Sequence, residues 1–267
     1  MDSPIGIFDS GLGGLTVFRE IAKALPQENL VYVGDTARVP YGVKSAETIT
    51  RYSKEICDFL LGLHVKAIVV ACNTASALAL SHLDSHYPVP LLGVLEPGAQ
   101  AAVLATKTQS IGVIGTEGTI RSQSYALAIQ KRMPKASVVS RACPLFVPLV
   151  EEGWVRHEVT QAVTEIYLRD FCKSNLDTLI LGCTHYPLLK EAIQGVLGKQ
   201  VTLVDSAFET AKALHQLLET QDLFTQNKGP GSQRFFTTDS PEKFNKHASL
   251  FLGHDKAQAE FTNLGIE

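Results

Sequence analysis

Two segments of the chain share one pattern, and each places a cysteine directly after an apolar run. Residues 67–74 read AIVVACNT, and residues 178–185 read TLILGCTH. In both, a run typical of a buried β-strand ends in a small residue, and hydroxyl or amide side chains follow the cysteine at the start of a helix-like segment. Cys72 and Cys183 therefore occupy matching places in the two halves of the chain. This pattern predicts two similar units related by a pseudo-twofold axis.

Strand-like and helix-like segments alternate along almost the whole chain. Such alternation is typical of βαβ units, and it predicts an α/β fold with mainly parallel sheets flanked by helices. Strands are predicted at residues 5–8, 30–33, 67–71, 90–94, 110–114, 137–140, 178–181, 201–204 and 234–238, with helices that include residues 12–25, 45–63, 74–84 and 241–252.

We expect two pseudo-symmetric domains with the active site in the cleft between them. The first domain is predicted to comprise residues 1–97 plus 206–267 and to carry Cys72. The second is predicted to comprise residues 98–205 and to carry Cys183. The sequence Glu-Pro-Gly at residues 96–98 is expected to mark the crossing between them.

The composition argues against several classes of function. The 267 residues are 45% hydrophobic and 19% charged, as in ordinary globular proteins. A net charge of −3, with no long run of one sign, disfavours nucleic-acid binding, because phosphate binding needs concentrated Lys and Arg. No segment approaches the roughly 18 apolar residues of a membrane span, and the N-terminus does not resemble a signal peptide. We therefore expect a cytoplasmic protein without membrane association.

The chain has five cysteines, and neither their number nor their spacing indicates a disulfide framework. They are widely separated, and no Cys-x-x-Cys motif is present, so a structural zinc site is not favoured either. For Cys57, Cys143 and Cys172, the interpretation is a buried structural thiol, which is the usual role of free cysteine.

Polar residues follow several of the predicted strands, where a parallel sheet binds its ligands. Asp9, Asp35, Cys72, Thr116 and Cys183 occupy such positions. The two cysteines stand out because a helix N-terminus lowers the pKa of a thiol. Each alone is as compatible with a structural role as with a reactive one, and it is the matched context that favours function.

The segment Asp9–Gly14 reads Asp-Ser-Gly-Leu-Gly-Gly and joins a predicted strand to a predicted helix. Glycines allow a ligand to approach the backbone, and the free N–H groups at a helix start favour an anion. The third glycine of a dinucleotide-binding motif is absent, since Thr16 stands there, and so is the Gly-Lys-Ser/Thr of a phosphate loop. A tight turn in which Asp9 or Ser10 caps the helix is an equally open interpretation.

Cys183 and His185 also allow other chemistry. Their spacing is compatible with a metal site or with a cysteine hydrolase. The three or four ligands of a metal site are not apparent at standard spacings, and we predict none. A hydrolase needs only one such cysteine, which would leave Cys72 unexplained.

Several blocks together resemble the signature segments of bacterial glutamate racemases, members of the aspartate/glutamate racemase superfamily. The blocks cover residues 8–14, 34–36, 40–42, 71–75, 182–187, 236–241 and 251–253. The related aspartate racemases share the paired cysteines, but the Asp-Ser-Gly opening and the Pro-Tyr-Gly loop are more similar to the glutamate enzymes. The resemblance extends from about Pro4 to Gly253.

The resemblance implies interconversion of L- and D-glutamate by two cysteines, without a cofactor, in a cytoplasmic homodimer that supplies D-glutamate for peptidoglycan. Cys72 would deprotonate the D-enantiomer with help from Asp9, and Cys183 the L-enantiomer with help from His185. Asp35 and Glu151 would be carboxylates near the site. The residues implied in substrate binding are Asp9, Ser10, Pro40, Tyr41, Gly42, Asn73, Thr74, Thr116, Thr119, Thr184 and His185.

Two other functions remain open from the residues alone. One is a one-thiol hydrolase or transferase in which Cys72 is structural. The other is a non-catalytic protein that binds small dicarboxylates with the same strand-end donors. A racemase alone predicts inversion at the α-carbon.

Overall fold

The structure, a computed structural model, describes residues 2–84, 86–253 and 257–265. Within these ranges, ten β-strands form two sheets. The strands are β1 (Ile5–Asp9), β2 (Leu30–Gly34), β3 (Ala67–Val70), β4 (Leu91–Gly93), β5 (Ser110–Gly115), β6 (Ser137–Ala142), β7 (Thr178–Gly182), β8 (Thr202–Asp205), β9 (Gln233–Thr237) and β10 (Ala259–Phe261).

Helices connect the strands and cover the sheets. The α-helices are α1 (Leu15–Ala24), α2 (Ala46–Gly62), α3 (Asn73–Leu78), α4 (Leu80–Leu83), α5 (Leu95–Ala105), α6 (Glu117–Arg121), α7 (Ser124–Arg132), α8 (Phe146–Glu151), α9 (Glu158–Leu168), α10 (Lys190–Leu197), α11 (Ser206–Thr220) and α12 (Pro241–Leu252). Short 3₁₀-helices lie at Thr36–Arg38, Tyr41–Val43, Phe171–Lys173 and Tyr186–Leu189.

The two sheets repeat one strand order. The larger sheet has the order β10-β9-β2-β1-β3-β4, and the smaller has the order β6-β5-β7-β8. Every pairing in both sheets is parallel. The run β2-β1-β3-β4 therefore corresponds strand by strand to β6-β5-β7-β8, so that β3 and β7 are equivalent. The predicted α/β class with mainly parallel sheets in two pseudo-symmetric units is confirmed.

The central strands are buried and mostly apolar because helices cover both faces of the sheets. All residues of β1, β2, β3 and β7 are buried. Helix α2 shows the complementary pattern, in which Ile49, Ile56 and Leu60 face the core at helical spacing. Ser45 caps this helix by accepting a hydrogen bond from the Thr48 amide at 3.2 Å.

One cluster of buried side chains includes residues of both sheets. It contains Tyr32 of the larger sheet, Leu181 of the smaller sheet, Phe18 of α1 and Leu214 of α11. Helix α11 packs against both α1 and α5. The two units thus share part of their hydrophobic core, which fixes how the ends of their strands face each other. The predicted boundaries at residues 97/98 and 205/206 stay a prediction.

The Glu-Pro-Gly sequence at residues 96–98 lies inside α5, where Pro97 is tolerated because a backbone N–H of the first turn has no partner within the helix. Some local predictions were wrong. The helix predicted at residues 74–84 is divided into α3 and α4. Strand β10 was not predicted. Cys172 is exposed, although Cys57 and Cys143 are buried as expected. Within the described ranges, no helix is long and apolar enough to cross a membrane.

Candidate active site

A cavity of about 370 Å³ lies where the C-terminal ends of the two sheets face each other. The residues that follow β1, β3, β5 and β7 all contribute to its wall. Most of the residues predicted from the sequence line this cavity, namely Ser10, Pro40, Tyr41, Gly42, Cys72, Asn73, Thr74, Thr116, Glu151, Cys183, Thr184 and His185. The cleft between the two units is therefore a single chamber that contains both cysteines.

Three of the predicted residues lie behind the cavity wall. Asp9, Asp35 and Thr119 are almost completely buried and do not line the cavity. Each contacts a residue that does, through a hydrogen bond to Thr184, Tyr41 or Thr116, respectively.

Cys72 occupies the N-cap position of α3. Its Sγ accepts a hydrogen bond from the Ala75 amide at 3.5 Å and lies 3.8 Å from Ser10 Oγ. Burial raises the pKa of the Cys72 thiol to about 12, and the negative charges of Asp9 and Cys183 act in the same direction. The donors Ala75 and Ser10 oppose this shift. Burial thus outweighs the lowering of the pKa predicted from the helix start, and in this environment Cys72 favours the neutral thiol over the thiolate.

Cys183 follows β7 directly, and its partner is a histidine. Its Sγ lies 3.8 Å from His185 Nδ1, and His185 Nε2 lies 3.0 Å from Glu151 Oε1. Burial disfavours the charged imidazole, but hydrogen bonds and negative charge from Cys183 and Glu151 outweigh it and raise the pKa of His185 to about 10. The helix start predicted after Cys183 is wrong, because a turn and the 3₁₀-helix Tyr186–Leu189 precede α10.

The glycine-rich turn after β1 brings the two half-sites together. Asp9 Oδ1 accepts a hydrogen bond from the Gly11 amide at 3.0 Å, which closes the turn. Helix α1 begins at Leu15 without a side-chain cap, so the cap interpretation for Asp9 or Ser10 is wrong. A Cβ at Gly13 would lie 2.3 Å from Thr184 Oγ1 and 2.5 Å from His185 Nδ1. Because Gly13 has no side chain, Thr184 and His185 can lie against the turn.

Asp9 is buried between the two half-sites. Burial raises its pKa, although the positive charge of His185 and the hydrogen bonds from the Gly11 and Gly14 amides and Thr184 act to lower it. Thr184 Oγ1 lies 3.5 Å from Asp9 Oδ2. Asp9 is therefore a carboxyl group with a raised affinity for a proton, close to Cys72 and to His185.

Asp35 holds the loop that carries Pro40, Tyr41 and Gly42. The Tyr41 hydroxyl donates to Asp35 Oδ2, and Arg38 Nε donates to the same carboxylate at 2.7 Å. Thr238 Oγ1 donates to Asp35 Oδ1 at 2.9 Å. Asp35 therefore acts on the shape of the cavity wall and does not reach into the cavity.

Three threonine hydroxyls meet at the boundary between the two units. Thr74 Oγ1 lies 2.9 Å from Thr116 Oγ1 and 3.3 Å from Thr119 Oγ1. Thr116 and Thr119 are 3.0 Å apart, and Thr116 also caps α6. Each hydroxyl hydrogen can turn either to another threonine or to a ligand, so these groups can donate to a carboxylate.

Asn73 has a partner that sequence reasoning missed. The Tyr125 hydroxyl donates to Asn73 Oδ1 at 2.7 Å. Tyr125 lies in a different unit, and its position on α7 gives no signal of function in the sequence. Missed cavity residues also include Gly11, Val39, Val43, Glu117, Pro144, Val147 and Pro148. The last three precede Glu151 on or near α8, where proximity to a predicted site residue was the available signal.

The donors that line the cavity are mostly neutral. Among the described residues, no lysine or arginine lines it, and no group of three or more His, Cys, Asp or Glu side chains could hold a metal ion. The arrangement offers two thiols, hydroxyl groups, an amide and backbone N–H groups around one small volume. It can bind an anion through neutral donors and present a thiol from each of the two units.

The two parallel sheets have like strand orders, and a cysteine after each of two equivalent strands gives the cavity a thiol from either unit. The profile of the Asp/Glu/Hydantoin racemase family matches residues 5–214. The chain belongs to this family, and the prediction of an isomerase is confirmed. Family membership also disfavours the hydrolase and the non-catalytic binder.

The chain is also similar to individual glutamate racemases over nearly its full length. It is 53% identical to a glutamate racemase of Geobacter metallireducens, over 93% of this chain and 92% of that protein. The crystal structure of a glutamate racemase isoform from Bacillus anthracis superposes with a TM-score of 0.96, at 41% identity and 99% coverage of both chains. A Francisella tularensis glutamate racemase in complex with D-glutamate gives 0.93, at 39% identity and 99% coverage of both. The resemblance to bacterial glutamate racemases is confirmed.

Proposed function

We propose that the protein is a glutamate racemase that interconverts L- and D-glutamate with two cysteines and no cofactor. The observation that carries the proposal is that Cys72 and Cys183 line one cavity from equivalent strands of two sheets. The names of the relatives support glutamate as the substrate.

The reaction breaks the α C–H bond on one face of glutamate and forms it on the other. Cys72, as a thiolate, takes the α-proton of D-glutamate while Cys183, as a thiol, donates its proton to the opposite face. For L-glutamate the two exchange roles. Each turnover leaves the two sulfurs with exchanged protonation states, which proton exchange with solvent then resets.

The residues beside each sulfur assist its proton transfer. Asp9, whose charge acts on the Cys72 thiol and whose own pKa is raised, serves as the proton acceptor for Cys72. His185, held by Glu151 at 3.0 Å, supplies a proton or a positive charge beside Cys183. These pairs differ in charge, so the two directions of the reaction depend on different groups.

Glutamate is bound mainly by neutral donors. Ser10, Asn73, Thr74, Thr116 and Thr184 line the cavity and hold the α-carboxylate and the amine, with Asp9 and His185 beside them. Thr119 supports Thr116 from behind the wall. Pro40, Tyr41 and Gly42 form the contact to the distal carboxylate. Binding without a lysine or arginine leaves the substrate ammonium as an unneutralised positive charge next to the thiols, where it favours their ionisation.

The α-proton is far less acidic than a thiol, so proton transfer alone does not explain catalysis. A general acid or base contributes about 10²–10⁴-fold. The remainder must come from holding the carbon between the two sulfurs and from donors that stabilise the developing carbanion in a site with little water. The burial of both cysteines provides such a site: Cys72 is 5% exposed and Cys183 is 6% exposed.

The wider role follows from the same proposal. D-glutamate made in the cytoplasm would enter peptidoglycan and so maintain the cell wall and cell shape. We also propose a homodimer, and two domains of residues 1–97 plus 206–267 and residues 98–205.

Circular dichroism of D- and L-glutamate incubated with the purified protein tests the proposal. Both enantiomers should lose optical activity, whereas aspartate and alanine should keep theirs. Cys72→Ser and Cys183→Ser should each abolish racemisation. The matched controls Cys172→Ser, at an exposed position, and Cys57→Ser, outside the cavity, should keep it. Activity in either cavity variant would exclude the two-thiol mechanism, and an inactive wild-type protein would exclude the function.

A further inference from the structure

Tyr125 lies at the back of both half-sites, and nothing in the mechanism so far uses it. The side chain is 2% exposed. A Cβ at Gly182, the residue before Cys183, would lie 3.2 Å from the Tyr125 ring. The ring therefore packs behind one cysteine, while the hydroxyl reaches Asn73, the residue after the other cysteine.

The hydrogen bond from Tyr125 fixes the direction of the Asn73 amide. Because the hydroxyl donates to Oδ1 at 2.7 Å, the NH₂ group is left to point elsewhere. Asn73 lines the cavity and is 2% exposed, and its Nδ2 has no hydrogen-bond partner among the described residues. A buried amide donor without a partner is costly, and a ligand acceptor in the cavity would remove that cost.

The surroundings keep the Tyr125 hydroxyl in the role of donor. Burial raises the pKa of Tyr125, so the phenol keeps its proton. The Ser206 side chain faces the same hydroxyl, and a Cβ at Gly98 would lie 3.3 Å from both groups. The phenol oxygen is thus enclosed between Ser206 and Asn73, and the Asn73 Oδ1 acceptor lies 2.7 Å from it.

We propose that Tyr125 is a positioning residue that turns the Asn73 NH₂ group towards a carboxylate of the substrate. This inference depends on the proposed racemase function. With the opposite orientation, Asn73 would present its oxygen and would accept from the substrate ammonium instead. Tyr125, from the second unit, thereby decides which substrate group a residue of the first unit binds.

Kinetics of Tyr125→Phe test this role against that of an ordinary core tyrosine. Removal of one hydroxyl should raise KM for both enantiomers by roughly three- to tenfold, the effect of one hydrogen bond. The kcat should change much less, because the contact holds the ground state and the transition state alike. Tyr87→Phe is the matched control: it removes a tyrosine hydroxyl bonded to the Lys54 carbonyl and to Asp58, away from the cavity, and should leave KM unchanged.

A double-mutant cycle shows whether Tyr125 acts through Asn73. The KM effect of Tyr125→Phe should disappear in an Asn73→Ala background. Where turnover is too slow to follow, the glutamate-induced rise in Tm gives the same comparison. An equal effect in both backgrounds, or an unchanged KM in Tyr125→Phe, would overturn the proposal.

Asn73→Asp tests the direction of the amide. A carboxylate there can accept but not donate, so glutamate binding should fall more than in Asn73→Ala. Binding equal to that of the wild type would mean that Asn73 accepts from the ammonium, against the proposal. If the wild-type protein does not racemise glutamate, the proposed function fails, whereas active wild type with an unaffected Tyr125→Phe defeats only this inference.

Discussion

The two cysteines of the cavity have neighbours of opposite charge. Beside Cys72 lies the buried carboxyl group of Asp9, whose negative charge adds to burial in raising the pKa of the thiol to about 12. Beside Cys183 lies His185, whose own pKa is raised to about 10 despite burial. The protein therefore opposes ionisation at one sulfur and places a positive charge at the other. A substrate ammonium between them would favour ionisation of both.

The Asp9→Asn variant should lower the pKa of the Cys72 thiol. The substitution removes a negative charge near the sulfur while it leaves the burial of the cysteine in place. The measurement is the pH dependence of iodoacetamide alkylation at Cys72, followed by peptide mass spectrometry. Asp58→Asn is the matched control, because Asp58 acts on the pKa of Cys57 and should not affect Cys72. A midpoint at higher pH in Asp9→Asn would contradict the electrostatic account.

The charge on His185 should make stability depend on pH. Its pKa is raised from 6.5 to about 10, so its protonation contributes stability that is complete below about pH 6.5 and is lost as the pH rises through about 10. The wild-type protein should therefore lose more free energy of unfolding than His185→Gln between pH 7 and pH 10. Urea unfolding across this range measures the difference. His82→Gln, at an exposed position, should show the same pH dependence of the free energy of unfolding as the wild type. If His185→Gln also shows that dependence, the His185 imidazole does not carry the charge.

At the scale of elements, the sequence predicts most strands but misses strand β10 and the break between α3 and α4. Strands β1, β2, β3 and β7 are the easiest to recognise, because buried parallel strands are nearly continuous apolar runs. Strand β10 has only three residues, of which Glu260 is polar, and it pairs with β9 alone, so no local pattern marks it. The break between α3 and α4 at Ala79 has no glycine or proline to indicate it.

Some residues of the candidate site could be predicted from the sequence, and others could not. Residues that follow strands, such as Cys72 and Cys183, could be identified because chain order places them at the sheet ends. Tyr125 could not, because its contact with Asn73 joins residues far apart in sequence. Glu117 and Val147 line the cavity only because two units face each other. Their only signal in the sequence is that they lie close to the predicted site residues Thr116 and Glu151.

The loop at residues 40–43 connects the two units by close backbone approach. A Cβ at Gly42 would lie 2.8 Å from Thr116 Cβ. Gly42→Ala should therefore displace the loop and raise KM roughly tenfold, since overpacking costs about 1–3 kcal/mol. Gly62→Ala is the control, because a Cβ at that helical position meets nothing within 4 Å. Steady-state kinetics measure KM for the two variants. A wild-type KM for Gly42→Ala would show that the loop contact does not shape the site.

At the scale of the whole molecule, the two ends of the sheets have different tasks. The C-terminal ends carry the candidate site. Near the opposite end of the larger sheet, Lys66 Nζ lies 2.5 Å from Glu28 Oε2, and both side chains are buried. Glu28 Oε1 also accepts a hydrogen bond from the Thr225 amide at 2.8 Å. This pair connects the start of β3 with the chain before β2 and belongs to stability rather than to catalysis.

Glu28→Ala should destabilise the protein by about 3–5 kcal/mol, because it leaves the buried charge of Lys66 without a partner. Racemisation by the folded fraction should stay unchanged. Denaturant unfolding and kinetics at 25 °C measure the two effects separately. The double variant Glu28→Gln with Lys66→Met should recover much of the lost stability. A loss of activity in the folded Glu28→Ala protein would show that the two ends of the sheet are coupled.

In the proposed mechanism, glutamate is held between two sulfurs that act on opposite faces of one carbon. The most direct test is the reaction of each enantiomer in deuterium oxide, with NMR of both product and recovered substrate at early times. Deuterium should appear at the α-carbon of the inverted product, with almost none in the recovered starting enantiomer, in both directions. Equal labelling of substrate and product would indicate a single base that serves both faces, and it would contradict the account.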